Sequence, residues 1–244
     1  MKILSRIAFW LIVFSLPALL IASNIRFAVN SISVYEYCIQ NYNISQATGI
    51  DKTGLEKIYQ HWIDFYSSKV DSPQISITKI NGEAVEVLSQ NEVTHMEDVK
   101  KLMVLDTNVQ IVSLIIFLLS VGFLIYRGKE KKWQLLLSSL FRGSLVSFAV
   151  IALVAVASFF NFNQVFILFH VVSFSNDFWI LPPDSYLIRM FPEAFFNFIF
   201  IFVFGVIILE SVVLGGIAFT LGRWLKKRDN ISEPDKLTTS AGAA

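Results

Sequence analysis

The sequence predicts an α-helical polytopic membrane protein: four transmembrane helices, with a small extracytoplasmic α+β element (amphipathic helix plus β-hairpin) between helices 1 and 2. Three observations predict it. Hydrophobic residues make up 55% of the 244-residue chain and charged residues only 16%, with a mean hydropathy of +0.60, a composition that excludes disorder, collagen and coiled coils. Residues 7–23, 109–126, 143–160 and 194–221 are free of charge except for Glu210, and a bilayer core of roughly 30 Å needs about 20 such residues in helix. The three basic clusters beside these stretches all fall on one side.

Residues 1–23 form the N-terminus and the first span. Lys2 and Arg6 precede an apolar run as in a signal peptide. Cleavage after Ala22 or Ser23 would, however, place Leu20 or Ile21 where a small residue is needed, so the segment is expected to be retained. Cys38, the single cysteine, follows Tyr35, Glu36 and Tyr37 rather than a lipobox. One cysteine excludes intrachain disulfides, iron–sulfur clusters and multi-cysteine zinc sites, so a structural thiol is expected.

Residues 24–108 form the long outer segment, with eleven acids against seven bases. Leu55, Ile58, Tyr59, Trp62, Phe65 and Tyr66 recur at helical spacing after Asp51, a helix cap. His61 falls on the polar face with Lys57, Gln60 and Asp64 and reads as a solvated residue. Ile75 and Ile77 alternate toward Asn81-Gly82, and Val85 and Val87 alternate beyond it. This predicts a hairpin with a tight primed turn at Asn-Gly, leaning on the amphipathic helix or the membrane. A further helix begins near residue 94 and leads into the second span. Thr94 with Glu97 makes a capping box that would put His95 at the first helical position, where the helix dipole keeps imidazole neutral. Ser89 with Glu92 competes for that start one turn earlier.

The span 109–126 is followed by a cytoplasmic loop and interfacial helix, 127–142, in which bases alternate with Trp133, Leu136, Leu140 and Phe141. It leads into the span 143–160. Residues 161–193 read as an extracytoplasmic aromatic loop, with Phe174, Phe178 and Trp179 as an interfacial belt and Pro192 opening the span 194–221. Residues 222–244 read as a cytoplasmic disordered tail. The clusters Lys2/Arg6, Arg127/Lys129/Lys131/Lys132 and Arg223/Lys226/Lys227/Arg228 put both termini in the cytoplasm by the positive-inside rule.

Net charge of +1 offers no field for nucleic acid. All three histidines lie in the outer segments. His95 and His170 flank span ends and are candidates to converge on one interfacial site, with Asp98, Asp177 and Asn176 nearby in sequence. No paired-histidine zinc spacing, Walker loop, serine elbow or dinucleotide fingerprint is present, so no metal and no cofactor is expected. Glu210, an acid inside a span, is expected to form a structural intramembrane pair with Arg142.

Two patches resemble a known family. Residues 92–100, EVTHMEDVK, resemble the His-Met/Leu-x-Asp-Val-Lys stretch of the lipoprotein intramolecular transacylases (Lit), four-span enzymes of the bacterial plasma membrane. The second patch runs from Phe169-His170 through Asn176-Asp177-x-Trp179 and Leu187-Ile188-Arg189 to Phe191-Pro192-Glu193-x-Phe195-Phe196. The resemblance implies an acyltransferase that moves the sn-2 acyl chain of a diacylglyceryl-modified lipoprotein to the α-amino group of its N-terminal cysteine. It implies His95 and His170 as the catalytic pair, acting on the extracytoplasmic side. Asp98, Asp177 and Asn176 are then candidates to orient a ring or hold an oxyanion. The alternative is a non-enzymatic envelope assembly or sensing protein whose aromatic loop is only an anchor.

Overall fold

The computed structural model describes residues 2–127 and 132–232. The basic residues Lys129 and Lys131, the start of the interfacial helix and the end of the expected tail lie outside the described residues. The chain forms helices α1 (Lys2–Asn30), α2 (Ile32–Asn41), α3 (Ile44–Thr48) and α4 (Lys52–Tyr66), then strands β1 (Ser76–Thr78) and β2 (Ala84–Glu86). Helices α5 (Gln90–Arg127), α6 (Lys132–Ser173), α7 (Tyr186–Met190) and α8 (Glu193–Ser232) follow.

Among the described residues, α1, α5, α6 and α8 are the four helices long and apolar enough to cross a membrane, and each contains one of the four apolar stretches. All extend past them. Hydropathy marks only the part that prefers lipid, whereas helical hydrogen bonding continues wherever propensity and packing support it. α8 accordingly runs to Ser232, into the segment expected as a disordered tail, through helix-favouring Arg, Leu and Lys residues. Residues 132–142 run on into the third span as one helix, with no break before Asn161.

The chain divides into two compact units. In the unit made of the described parts of 1–21, 110–152 and 206–244, Ala8, Ile12, Leu124 and Leu136 form a small core. α1 and α6 meet at Gly143, where a Cβ would lie 3.0 Å from Leu16 Cδ2. A side chain there would require Leu16 to give way by a few tenths of an ångström. Arg142 sets its guanidinium 5.3 Å from the centre of the Phe9 ring, which shelters the charge.

The second unit, Ala22–Val109 with Leu153–Gly205, holds the main core, in which Leu55, Ile58, Tyr59 and Trp62 of α4 pack with Val87, Met96, Leu187 and Met190. α4 begins as expected: the Asp51 carboxylate accepts the Gly54 N–H at 2.8 Å. β1 and β2 pair antiparallel with Ile77 opposite Val85. The turn differs from the expected primed type. Lys79 N–H donates to Glu83 and Gly82 N–H to Lys79, with positive φ at Gly82 but not at Asn81. That is a three-residue loop closed by a left-handed glycine, which needs one positive φ instead of two. Ile77 reaches within 3.3 Å of a Cβ built on Gly54, so the hairpin leans on the start of α4.

α6 breaks at Asn161 (φ −155, ψ 85), whose side chain accepts the Gln164 N–H at 3.0 Å and so caps a second helical half. Residues 162–173, expected as loop, are therefore helical, and the connection to α7 is shorter. Phe162 and His170 of this half are buried, each 8% exposed, while Leu168, Val171 and Val172 are exposed. α8 begins at Glu193, and Pro192, expected inside the helix, instead supplies a carbonyl that accepts the Phe195 N–H.

Candidate active site

α5 starts one turn before the Thr94 frame. Ser89 and Glu92 form a reciprocal capping box: Ser89 N–H donates to Glu92 Oε2 at 2.8 Å and Glu92 N–H to Ser89 Oγ at 3.4 Å. Thr94 is already inside the helix and donates its hydroxyl to the Gln90 carbonyl at 3.0 Å. His95 thus lies in the second turn, beyond the strong field of the helix end. The same carboxyl decided the frame by a distant bond, since Glu92 Oε1 accepts the Leu187 N–H at 2.9 Å. Glu92 is 3% exposed and ties α5 to α7.

His95 and His170 come together, with ring centroids 6.1 Å apart and planes at 28°. Both lie outside the charge-free stretches 109–126 and 143–160. At that separation both rings can reach heteroatoms on one tetrahedral carbon through hydrogen bonds of about 3 Å. His170 Nδ1 lies 2.7 Å from the Phe166 carbonyl oxygen. A carbonyl only accepts, so Nδ1 carries the proton and Nε2 is left as the acceptor of the neutral ring.

Burial, more than helix position, keeps these rings neutral. His95 is pushed down to about 4, first by desolvation and then by His170, with Asp98 opposing. Burial likewise lowers His170, against the Phe166 hydrogen bond. Asp98 accepts from Lys101 Nζ at 2.7 Å and from Asn176 Nδ2 at 2.8 Å. Those two donors hold its carboxyl below the usual range, the lysine foremost.

Asp98 and Asn176 therefore come together, as a bridge between α5 and the turn after α6, and Asn176 Oδ1 also accepts the Phe178 N–H at 3.1 Å. Asp177 is exposed and contributes its carbonyl to the turn, accepting from Ile180 N–H. His61 is on α4, bonded to the Ser72 carbonyl at 2.9 Å. Cys38 is fully buried against the Met190 carbonyl, and burial pushes its thiol up to about 12, as suits a structural thiol. Among the described residues no group of three or more His, Cys, Asp or Glu is placed to hold a metal ion.

Four rings outside the expected set line this site. Phe174 lies 5.2 Å from His95 and 5.7 Å from His170, Trp179 lies 5.0 Å from His170, and Phe166 lies 4.3 Å from it. Phe169 is the fourth, 5.4 Å from His170, while Glu92 acts from outside the site by tying α5 to α7. Phe174 and Trp179 read as an interfacial belt because aromatic composition alone does not say which way a ring faces. Phe178, 39% exposed, keeps the belt reading. The signal available was the i, i+4, i+8 spacing of Phe162, Phe166 and His170 on one helical face.

Comparison with known proteins places the chain as a whole. The chain matches the family described as lipoprotein intramolecular transacylase Lit over residues 10–196. No curated protein matches it. Among solved structures it is similar to the in meso structure of the membrane-integral lipoprotein intramolecular transacylase Lit from Bacillus cereus. The identity is 22% and the TM-score 0.76, covering 95% of this chain and 100% of that one. Two variants of that Bacillus cereus protein, with one histidine changed to arginine or to alanine, match at 23% and 22% identity, both with TM-score 0.70. They cover 94% and 93% of this chain and 95% and 96% of their own. At such identities the likeness establishes the fold.

Proposed function

Because the chain belongs to the lipoprotein intramolecular transacylase (Lit) family, and is therefore a multi-pass membrane enzyme acting on lipoproteins, we propose its reaction in full. It moves the sn-2 acyl chain of a diacylglyceryl-modified lipoprotein onto the α-amino group of the same N-terminal cysteine, leaving a lyso form. The non-enzymatic alternative falls with the family assignment. The observation that carries the reading is the 6.1 Å approach of two half-buried or buried imidazoles.

An α-amine with pKa near 8 is mostly protonated at neutral pH and must lose a proton to attack an ester. A neutral imidazole takes that proton, and the departing glyceryl oxygen receives one as the tetrahedral intermediate collapses. His170 offers Nε2 for this exchange, since Nδ1 is engaged. Amine and ester sit in one molecule, so folding the lipid head into attack geometry replaces an acyl-enzyme. No nucleophilic serine or cysteine is needed, which suits a buried Cys38 with a raised pKa. Asp98 and Asn176 are positioning residues for the turn; Asn176 is also the candidate oxyanion donor.

The basic clusters support cytoplasmic termini and a site at the extracytoplasmic face of the bacterial plasma membrane. Glu210 and Arg142, both in the first of the two units, are proposed as a structural pair. The reading is tested by expressing the chain in a host that keeps only diacylated lipoproteins. A lyso, N-acylated reporter lipoprotein is the expected product by mass spectrometry; an unchanged lipid pattern refutes it.

The pH dependence carries a sign. Activity needs the histidines neutral, and their lowered pKa values move loss of activity to acid. From about pH 8 downward kcat/KM falls with unit slope, as the substrate amine protonates. The slope steepens only below the ordinary histidine value of about 6.5, toward the value of about 4 for His95. Steepening already near pH 7 contradicts this.

A further inference from the structure

We propose that Trp179 is the residue that keeps water out of the transfer step and thereby decides acyl transfer against hydrolysis. The inference rests on the transacylase reading above. Transfer forms a bond from the amine nitrogen to the acyl carbon and breaks the bond from that carbon to the sn-2 glyceryl oxygen, which gains the proton the amine loses. The product is an isomer of the substrate. Hydrolysis uses the same base and breaks the same bond, but a water oxygen joins the acyl carbon, one water proton goes to the glyceryl oxygen, and a fatty acid leaves.

A base that deprotonates an amine also deprotonates water, so the outcome depends on what reaches His170 Nε2. His170 is 8% exposed. Three of the rings against it come from α6 or its end: Phe166 at 4.3 Å, Phe169 at 5.4 Å and Phe174 at 5.7 Å. Trp179 closes another side at 5.0 Å and 35°, and it comes from the turn beyond the helix. That turn is built to hold it: Asn176 donates to Asp98 at 2.8 Å and accepts the Phe178 N–H at 3.1 Å, and Ile180 N–H donates to the Asp177 carbonyl at 3.0 Å. A turn fixed at both of its polar ends keeps an amphipathic indole in one place. Burial that lowers His170 fits a dry pocket.

The test is product partition by the purified full chain acting on a synthetic diacylglyceryl lipopeptide in isotopically labelled water. The parent enzyme is expected to give the isomeric N-acyl lyso product with little fatty acid. Trp179→Ala raises the ratio of labelled fatty acid to N-acyl product by at least ~10-fold, as loss of a water barrier, and Trp179→Phe, which keeps a ring, restores most of the partition. A Trp179→Ala enzyme that turns over more slowly with no added fatty acid overturns the proposal. If that variant is inactive, Trp179→Leu decides: N-acyl product alone assigns the indole to support of the fold. A parent enzyme making no N-acyl product refutes the transacylase reading itself, which is a distinct outcome.

Discussion

Replacing His170 by alanine is expected to lower formation of N-acyl lyso lipoprotein by roughly 10³-fold, the usual span for loss of a general acid–base group, while the protein still inserts and accumulates. His95→Ala gives a loss of the same order. The double variant is expected to be no worse than either single one, because two rings 6.1 Å apart that exchange protons in one step act as a unit, and such effects do not add. His61→Ala serves as the control. Its ring, on α4, bonds the Ser72 carbonyl beyond the helix, away from the histidine pair, so activity stays within about twofold. Mass spectrometry of a reporter's N-terminal peptide reads all four proteins; full conversion by His95→Ala or His170→Ala would remove the proposed chemistry.

The second large effect is on stability. Glu92→Ala is expected to destabilise by about 2–4 kcal/mol, because the buried Leu187 N–H loses its acceptor at a cost of roughly 1–3 kcal/mol and the capping box with the exposed Ser89 is lost at about 1 kcal/mol. The carboxyl accepts the Ser89 and Leu187 N–H groups at 2.8 and 2.9 Å. In detergent this lowers the thermal midpoint by roughly 10 °C. Glu92→Gln keeps one accepting oxygen but turns an amide N–H2 toward a backbone N–H, so about half of the loss remains. A Glu92→Ala protein melting within about 2 °C of the parent would show that the link to α7 carries little.

Much of this site can be read from the chain. The two histidines and their convergence were legible because they lie near the ends of unmistakable spans, and because their flanking residues resemble a specific family. The Asp98–Asn176 contact was partly legible: both residues were marked, but their partnership with each other was not. The contact of Trp179 with His170 was not legible. Periodicity tells which side chains share a helix face, yet residues 174–185 include no helix, so nothing local says that the indole turns back onto His170.

The start of α5 shows the same division. Two capping boxes, Ser89/Glu92 and Thr94/Glu97, are equally good as strings. The choice fell to Glu92 through its bond to Leu187, 95 residues away. The spans, the Asp51 cap and the presence of a hairpin follow from transfer energy and hydrogen bonds among neighbours, which act within a few residues and so are written in consecutive positions. The neutral histidine pair, its aromatic walls and the helix frame depend on burial and on bonds such as Asp98 to Asn176, 78 residues apart. Desolvation is a property of everything packed around a group, and only the folded chain supplies that surrounding.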